Sequence, residues 1–254
     1  MALVDLDMDR TTSVAIVTLN RPPVNALSIA MCGDLRSAFA TLSESDSTRC
    51  VILAGAGTRA FCAGLDFKDF FSSTVDEAAR AELVRDMYKA VRQCAVPVIA
   101  AVDGPALGAG AVLASVCDVR VASHAATFGL PEINVGRIGG AAHHARLIPQ
   151  GLLRKMVFTG SPISSVEAYR IGLVQDLVET EALAAARTLA AAMAVKSLVG
   201  LRAAKRSLNE IESLGTDEGY ALEQRRSAEL RQTEDAQEAS RAVMEKRAPV
   251  FKGR

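Results

Sequence analysis

Residues 96–118 read VPVIAAVDGPALGAGAVLASVCD, and the order of residue types in this stretch decides the fold class. Val96 to Val102 is a short continuous apolar run, the pattern of a buried strand. Gly104, Gly108 and Gly110 interrupt it, and small apolar residues then continue to Cys117, as a tightly packed helix would require. A strand, a glycine-rich turn and a helix in succession are the repeating parts of an α/β domain.

The same alternation extends in both directions. Upstream, SVAIVTL (13–19) alternates and is β-branched, which reads as a strand that Arg21-Pro22-Pro23 ends. Leu27, Met31, Leu35, Phe39 and Leu42 then recur at three- and four-residue steps behind Ser28, predicting an amphipathic helix whose stripe is core. CVILAG (50–55) is a second short buried strand leading into a glycine-rich loop, and a helical segment is expected around 75–94. Downstream, DVRVAS (118–123) reads as a strand, and Ser164 to Glu167 has capping-box spacing. From about residue 180 the chain is rich in Ala, Leu, Glu and Arg with no strand-like run, which predicts a helical C-terminal region of four helices. Neither an internal repeat nor a low-complexity linker divides the chain. The reading is an α/β core over residues 1–195 and a helical region over 196–254.

Composition narrows the function classes. Lys plus Arg equals Asp plus Glu at 29 each, so a nucleic-acid binder relying on a broad basic surface is not expected. A local basic patch for a phosphorylated ligand stays open. The five cysteines are scattered without a Cys-x-x-Cys pair, which suggests neither a zinc site nor a disulfide framework. Reduced thiols, an acidic start (MALVDLDMDR) unlike a signal peptide, and interrupted apolar runs too short for a bilayer predict a cytoplasmic protein with no membrane partner.

Two glycine loops carry the chemistry: Gly55-Ala56-Gly57 through Phe61-Cys62-Ala63-Gly64-Leu65-Asp66-Phe67-Lys68, and Val102 through Gly110. Small residues after buried strands let a ligand approach the backbone and expose N–H donors, and a helix N-terminus adds partial positive charge suited to an oxyanion. The residues alone leave two other readings open. Both loops can be plain tight turns. Gly55-x-Gly57-x-x-Ala60 also loosely matches a dinucleotide fingerprint, although Phe61 to Gly64 breaks the helix such a motif should open.

Four segments, in this order, resemble the enoyl-CoA hydratase/isomerase (crotonase) family. They are Asn20-Arg21-Pro22-Pro23-Val24-Asn25-Ala26-Leu27, Ala60 to Asp66, Gly104 to Asp118, and Phe128-Gly129-Leu130-Pro131-Glu132 through Arg146-Leu147. The resemblance runs from about residue 14 to 180, and the helical tail matches in character. It implies a spiral of ββα units, C-terminal helices that build homotrimers or hexamers, and an acyl-CoA substrate with no separate cofactor or metal. It also implies a thioester enolate held by two backbone N–H groups, which fall on Leu65 and Ala109. Ala109 departs from the family, where glycine is usual, but an alanine keeps the N–H if its φ permits. By the same resemblance Ala63 and Phe67 line the adenine or pantetheine path, while Arg21 and Lys68 meet phosphate oxygens or stand as solvated surface charge.

Hydratases of the family hold a water between two glutamates. Here the first position is Val112 and the second Glu132, which implies the single-glutamate, isomerase-like branch. Glu132 beside Leu130 and Ile133 is expected to have its pKa raised by desolvation, as a proton shuttle needs. Hydration with Glu132 and another group, and a catalytically weak CoA-ester binder, are the competing readings. His143 stands where the family usually has a glycine near the catalytic water, so it is a candidate second acid–base or polar group, or else a helix N-terminal histidine facing solvent or a subunit contact. Asp66 and Asp118 read as ties for backbone groups, and Arg137 as pocket lining or surface.

Overall fold

The computed structural model describes residues 2–72 and 76–254. The helix expected from residue 75 begins at a position outside those residues. The chain opens with β1 (Val4–Asp9), which alternates apolar and acidic residues and pairs antiparallel with β2 (Val14–Leu19). Helix α1 (Ile29–Glu44) follows, with Ser28 accepting a hydrogen bond from Met31 N and the predicted stripe of Met31, Leu35, Phe39 and Leu42 buried. Next come β3 (Cys50–Gly55), α2 (Phe67–Ser72), α3 (Glu77–Arg92) and β4 (Val98–Val102). A short β5 (Pro105–Leu107) leads into α4 (Ala109–Val116), then β6 (Val119–Ser123) and β7 (Thr127–Gly129). A 3-10 turn (Pro131–Val135), α5 (Ala141–His144), α6 (Gln150–Thr159), β8 (Ile163–Ser164), α7 (Ser165–Arg170) and β9 (Asp176–Val178) complete the α/β part. Four helices close the chain: α8 (Ala182–Ala194), α9 (Leu198–Ile211), α10 (Thr216–Leu230) and α11 (Glu234–Met244).

The main sheet has the order β1-β2-β3-β4-β6-β9, parallel everywhere except at the β1–β2 edge. Alternate residues of its strands enter two different cores, because successive side chains leave a strand on opposite faces. Ala15, Val17, Leu19, Val51, Leu53, Ala100 and Val102 face the larger core with α1, α3 and α4. Val14, Ile16, Ile52, Ile99, Ala101 and Val121 face a smaller core closed by Ala182, Ala186 and Ala190 of α8. The four-residue spacing of those alanines puts a small-residue stripe on one side of α8 and lets the helix lie close on the sheet. A second sheet, β5-β7-β8, branches off where Gly104 turns the chain out of β4 with φ +80°.

The five cysteines are separate buried thiols, and burial pushes Cys32, Cys50, Cys62 and Cys117 up to about 12. The helical region is fastened to the sheet by an ion pair whose lysine is buried. Lys205 of α9 meets the Asp118 carboxylate at 2.8 Å and donates to the Val96 carbonyl, and Asp118 also accepts from Val98 N. Asp118 thus ties backbone at the start of β6, as its sequence position suggested. Among the described residues, no single helix is long and apolar enough to cross a membrane.

Candidate active site

The first glycine loop is held by bonds on most residues from Ala60 to Asp66. Cys62 N donates to Pro105 O, Ala63 N to Val24 O, Leu107 N to Cys62 O, and Asp66 N to Leu27 O. Leu27 N returns a bond to Gly64 O, forming a parallel bridge that uses the amides on either side of Leu65. Those two bonds turn the N–H of Leu65 to the opposite side, where no acceptor meets it among the described residues. Asn25 fixes the loop from behind. It is fully buried with φ 52°, a left-handed conformation that asparagine tolerates, and its Nδ2 donates to the carbonyls of Ala56, Ala60 and Phe61.

The second loop delivers the N-terminus of α4 to the same point. Gly108 has φ +53°, and Gly108 N donates to Gly129 O, while the chain enters the helix at Ala109. As a first-turn residue Ala109 has an N–H without a helical partner, and it has no positive φ to strain its methyl group. The two loops touch. A Cβ placed on Gly64 would lie 3.1 Å from Leu107 O and 3.7 Å from Ala109 N. Two unpaired N–H groups converging beside a helix N-terminus can share one developing oxyanion.

Glu132 completes this centre. Pro131 starts the 3-10 turn, and the turn carries the carboxylate over Gly108, where an added Cβ would lie 2.9 Å from Glu132 Oε1. Its other oxygen, Oε2, is buried with no hydrogen-bond partner among the described residues. Burial raises the Glu132 pKa above the ordinary 4.5, opposed only by a bond to its own backbone. Leu130 is buried as expected, whereas Ile133 is exposed, so the desolvation comes from the protein side of the turn.

Val112, one turn beyond Ala109, is buried, and a Cβ on Gly140 would lie 2.7 Å from its Cγ2 and 2.9 Å from Leu130 Cδ2. The position where a second carboxylate would stand is therefore walled by apolar groups. The two adjacent histidines differ sharply. His144 is fully buried, with Nδ1 3.0 Å from the Gly140 carbonyl and Nε2 3.0 Å from Ser115 Oγ. The carbonyl can only accept, so Nδ1 carries the proton and Ser115 donates to Nε2. His143 is half-buried and packs at 5.4 Å against the ring of Tyr88, whose hydroxyl reaches Ala109 O at 3.3 Å. Sequence reasoning missed Tyr88: its contacts on α4 and α5 lie far along the chain, and within α3 it reads as ordinary core.

Arg21 pairs with Asp66 and donates to Ala26 O, so its guanidinium braces the loop from the side. Asp66 also accepts from Asp69 N, and these bonds hold its carboxyl below the usual carboxylate range. Ala63, Phe67 and Lys68 are exposed along the rim of the same loop. Arg137 is exposed and lies 3.9 Å from Glu77.

The family model described as enoyl-CoA hydratase/isomerase matches residues 9–254. A 2,3-dehydroadipyl-CoA hydratase of Escherichia coli is 38% identical over 98% of this chain and 99% of its own. The (E)-benzylidenesuccinyl-CoA hydratase of Thauera aromatica is 36% identical over 97% of this chain and 98% of its own. A crystal structure of enoyl-CoA hydratase from Bacillus anthracis superposes with a TM-score of 0.93 at 32% identity, covering 100% of both chains.

Proposed function

Because the chain belongs to the enoyl-CoA hydratase/isomerase family, we propose that it is a 3,2-enoyl-CoA isomerase in which Glu132 carries the proton. The observation that carries this reading is the lone carboxylate of Glu132 beside Gly108, one oxygen buried and unbonded, with apolar Val112 at the second carboxylate's position. A single base can move a proton between two carbons of one substrate, whereas activating a water calls for a second group to hold it.

Glu132 takes a proton from C2 of the 3-enoyl thioester. The electrons spread over C4 and the thioester oxygen, and the N–H groups of Leu65 and Ala109 stabilise the negative oxygen. The protonated Glu132 returns its proton to C4, leaving the double bond between C2 and C3 and the carboxylate restored. The raised pKa narrows the gap between carboxylic acid and carbon acid, which helps the first transfer. Exposed Ala63 and Phe67 would line the adenine or pantetheine path and Lys68 would meet a phosphate. Arg21, tied to Asp66, would act on the ligand mainly by holding the loop. Exposed Tyr220, Val243 and Met244 on the C-terminal helices offer apolar contacts for a trimer.

The test is a product assay with 3-hexenoyl-CoA and crotonyl-CoA. The expected outcome is conversion of the first to the 2-enoyl ester, abolished in Glu132→Gln. Rapid hydration of crotonyl-CoA with 3-hexenoyl-CoA untouched would replace isomerisation by hydration.

A further inference from the structure

Two side chains beside this centre have no part in the proton shuttle. Tyr88, on the buried face of α3, lies with its hydroxyl 3.3 Å from the Ala109 carbonyl. That is long for a hydroxyl donor, whose usual distance is about 2.7–2.8 Å, and a helix carbonyl normally receives the amide four residues on as well. Glu132 lies close enough to add to the burial and the Cys62 and Cys32 thiols that raise the phenol's pKa, which places Tyr88 within the same electrostatic neighbourhood.

His143 packs on the Tyr88 ring with an interplanar angle of 59°. Among the described residues neither of its ring nitrogens has a hydrogen bond, in contrast to both nitrogens of His144. Burial, with Arg146 and Arg92 nearby, favours the neutral imidazole. It therefore offers one donor and one acceptor.

A phenol and an imidazole lie together beside Ala109 and near the apolar contact of Val112 with Leu130 and Gly140. A plain hydrocarbon chain laid against them would strip the half-buried His143 ring of its hydration and return no hydrogen bond. An acyl group bearing an oxygen would satisfy both. We propose that Tyr88 and His143 form a hydrogen-bonding subsite for an oxygen on the acyl group, so that the preferred substrate is an oxygenated acyl-CoA rather than a plain alkenoyl-CoA. The subsite rests on the acyl-CoA reading of the loops, but is independent of where Glu132 returns its proton.

The test is calorimetric binding to the Glu132→Gln protein, in which turnover is blocked. The probes are hexanoyl-CoA and its oxo, hydroxy and terminal carboxy counterparts, which separate the kinds of oxygen. At least one oxygenated ester should bind about tenfold more tightly than hexanoyl-CoA, the scale of one added hydrogen bond. Adding Tyr88→Phe should remove that preference while leaving hexanoyl-CoA binding unchanged, and His143→Leu should reduce it. Equal binding of all four esters to the Glu132→Gln protein would overturn the subsite. So would a Tyr88→Phe effect equal on all four, which is what a merely structural contact to Ala109 would give. Binding of none would instead overturn the acyl-CoA reading, and the subsite with it.

Discussion

The loop around Gly64 and the segment from Leu130 to His143 approach the same centre but are bonded differently. In the loop, Cys62, Ala63, Gly64 and Asp66 all have backbone partners on other segments, and the Asn25 side chain ties three further carbonyls. In the other segment the backbone bonds are local, such as Gly136 N to Ile133 O, and Ile133, Val135 and Ile138 are exposed. Its candidate site side chains are under-bonded, with one oxygen of Glu132 bare and the His143 ring without hydrogen bonds among the described residues. The half that would hold the thioester is fixed before any ligand arrives, while the half that would handle protons keeps polar atoms in reserve. Preorganisation suits a group that must hold a charge, and incomplete satisfaction suits one that must exchange a proton.

The largest test of this contrast is Glu132→Gln. Its kcat should fall about a thousandfold, while Tm stays level or rises, because an ionisable group with one buried, unpartnered oxygen is removed. A fall in both would make Glu132 part of the scaffold. The converse is Asn25→Ala, which leaves buried carbonyls and Arg21 N without their partner and puts alanine at φ 52°. A loss of about 3 kcal/mol in denaturant unfolding is expected, from unsatisfied groups and left-handed strain together. Unchanged stability would mean that the loop is not held as tightly as its bonds indicate.

A smaller effect concerns His144, the anchor between α4 and the turn at Gly140. Burial depresses its pKa from 6.5 to about 4. The unfolded chain therefore takes up a proton at a higher pH than the folded one, and stability is full above pH 6.5 and declines as pH falls toward 4. At pH 5 the loss from this group is about 2 kcal/mol. The pH-dependence of unfolding should be shallower by that amount in His144→Gln than in the parent, and identical slopes would remove the assignment.

The parallel strands were legible because Val14–Leu19, Cys50–Gly55 and Val98–Val102 are largely apolar runs with a Gly or Pro at one end or within three residues of it. Strand β1 went unread, although Val4, Leu6 and Met8 alternate with Asp5, Asp7 and Asp9. Aspartate is disfavoured in strands, and it is the edge position with one open face that tolerates three of them here. Strands β5, β7 and β8, at two or three residues, are too short to show any period. Within the candidate site, Leu65, Ala109 and Glu132 could be singled out because short motifs carry them. Tyr88 and the Lys205–Asp118 pair could not, because each depends on a contact between residues distant in sequence.

The tight meeting of Val112 with Gly140 and Leu130 has an evolutionary consequence. A glutamate at position 112 would add volume and charge to a closed apolar corner, so that single replacement would be overpacked and desolvated together. Gaining a carboxylate at position 112 is then epistatic: a change that opens the corner at Leu130 or the Gly140 turn would have to accompany it for the new acid to have somewhere to stand.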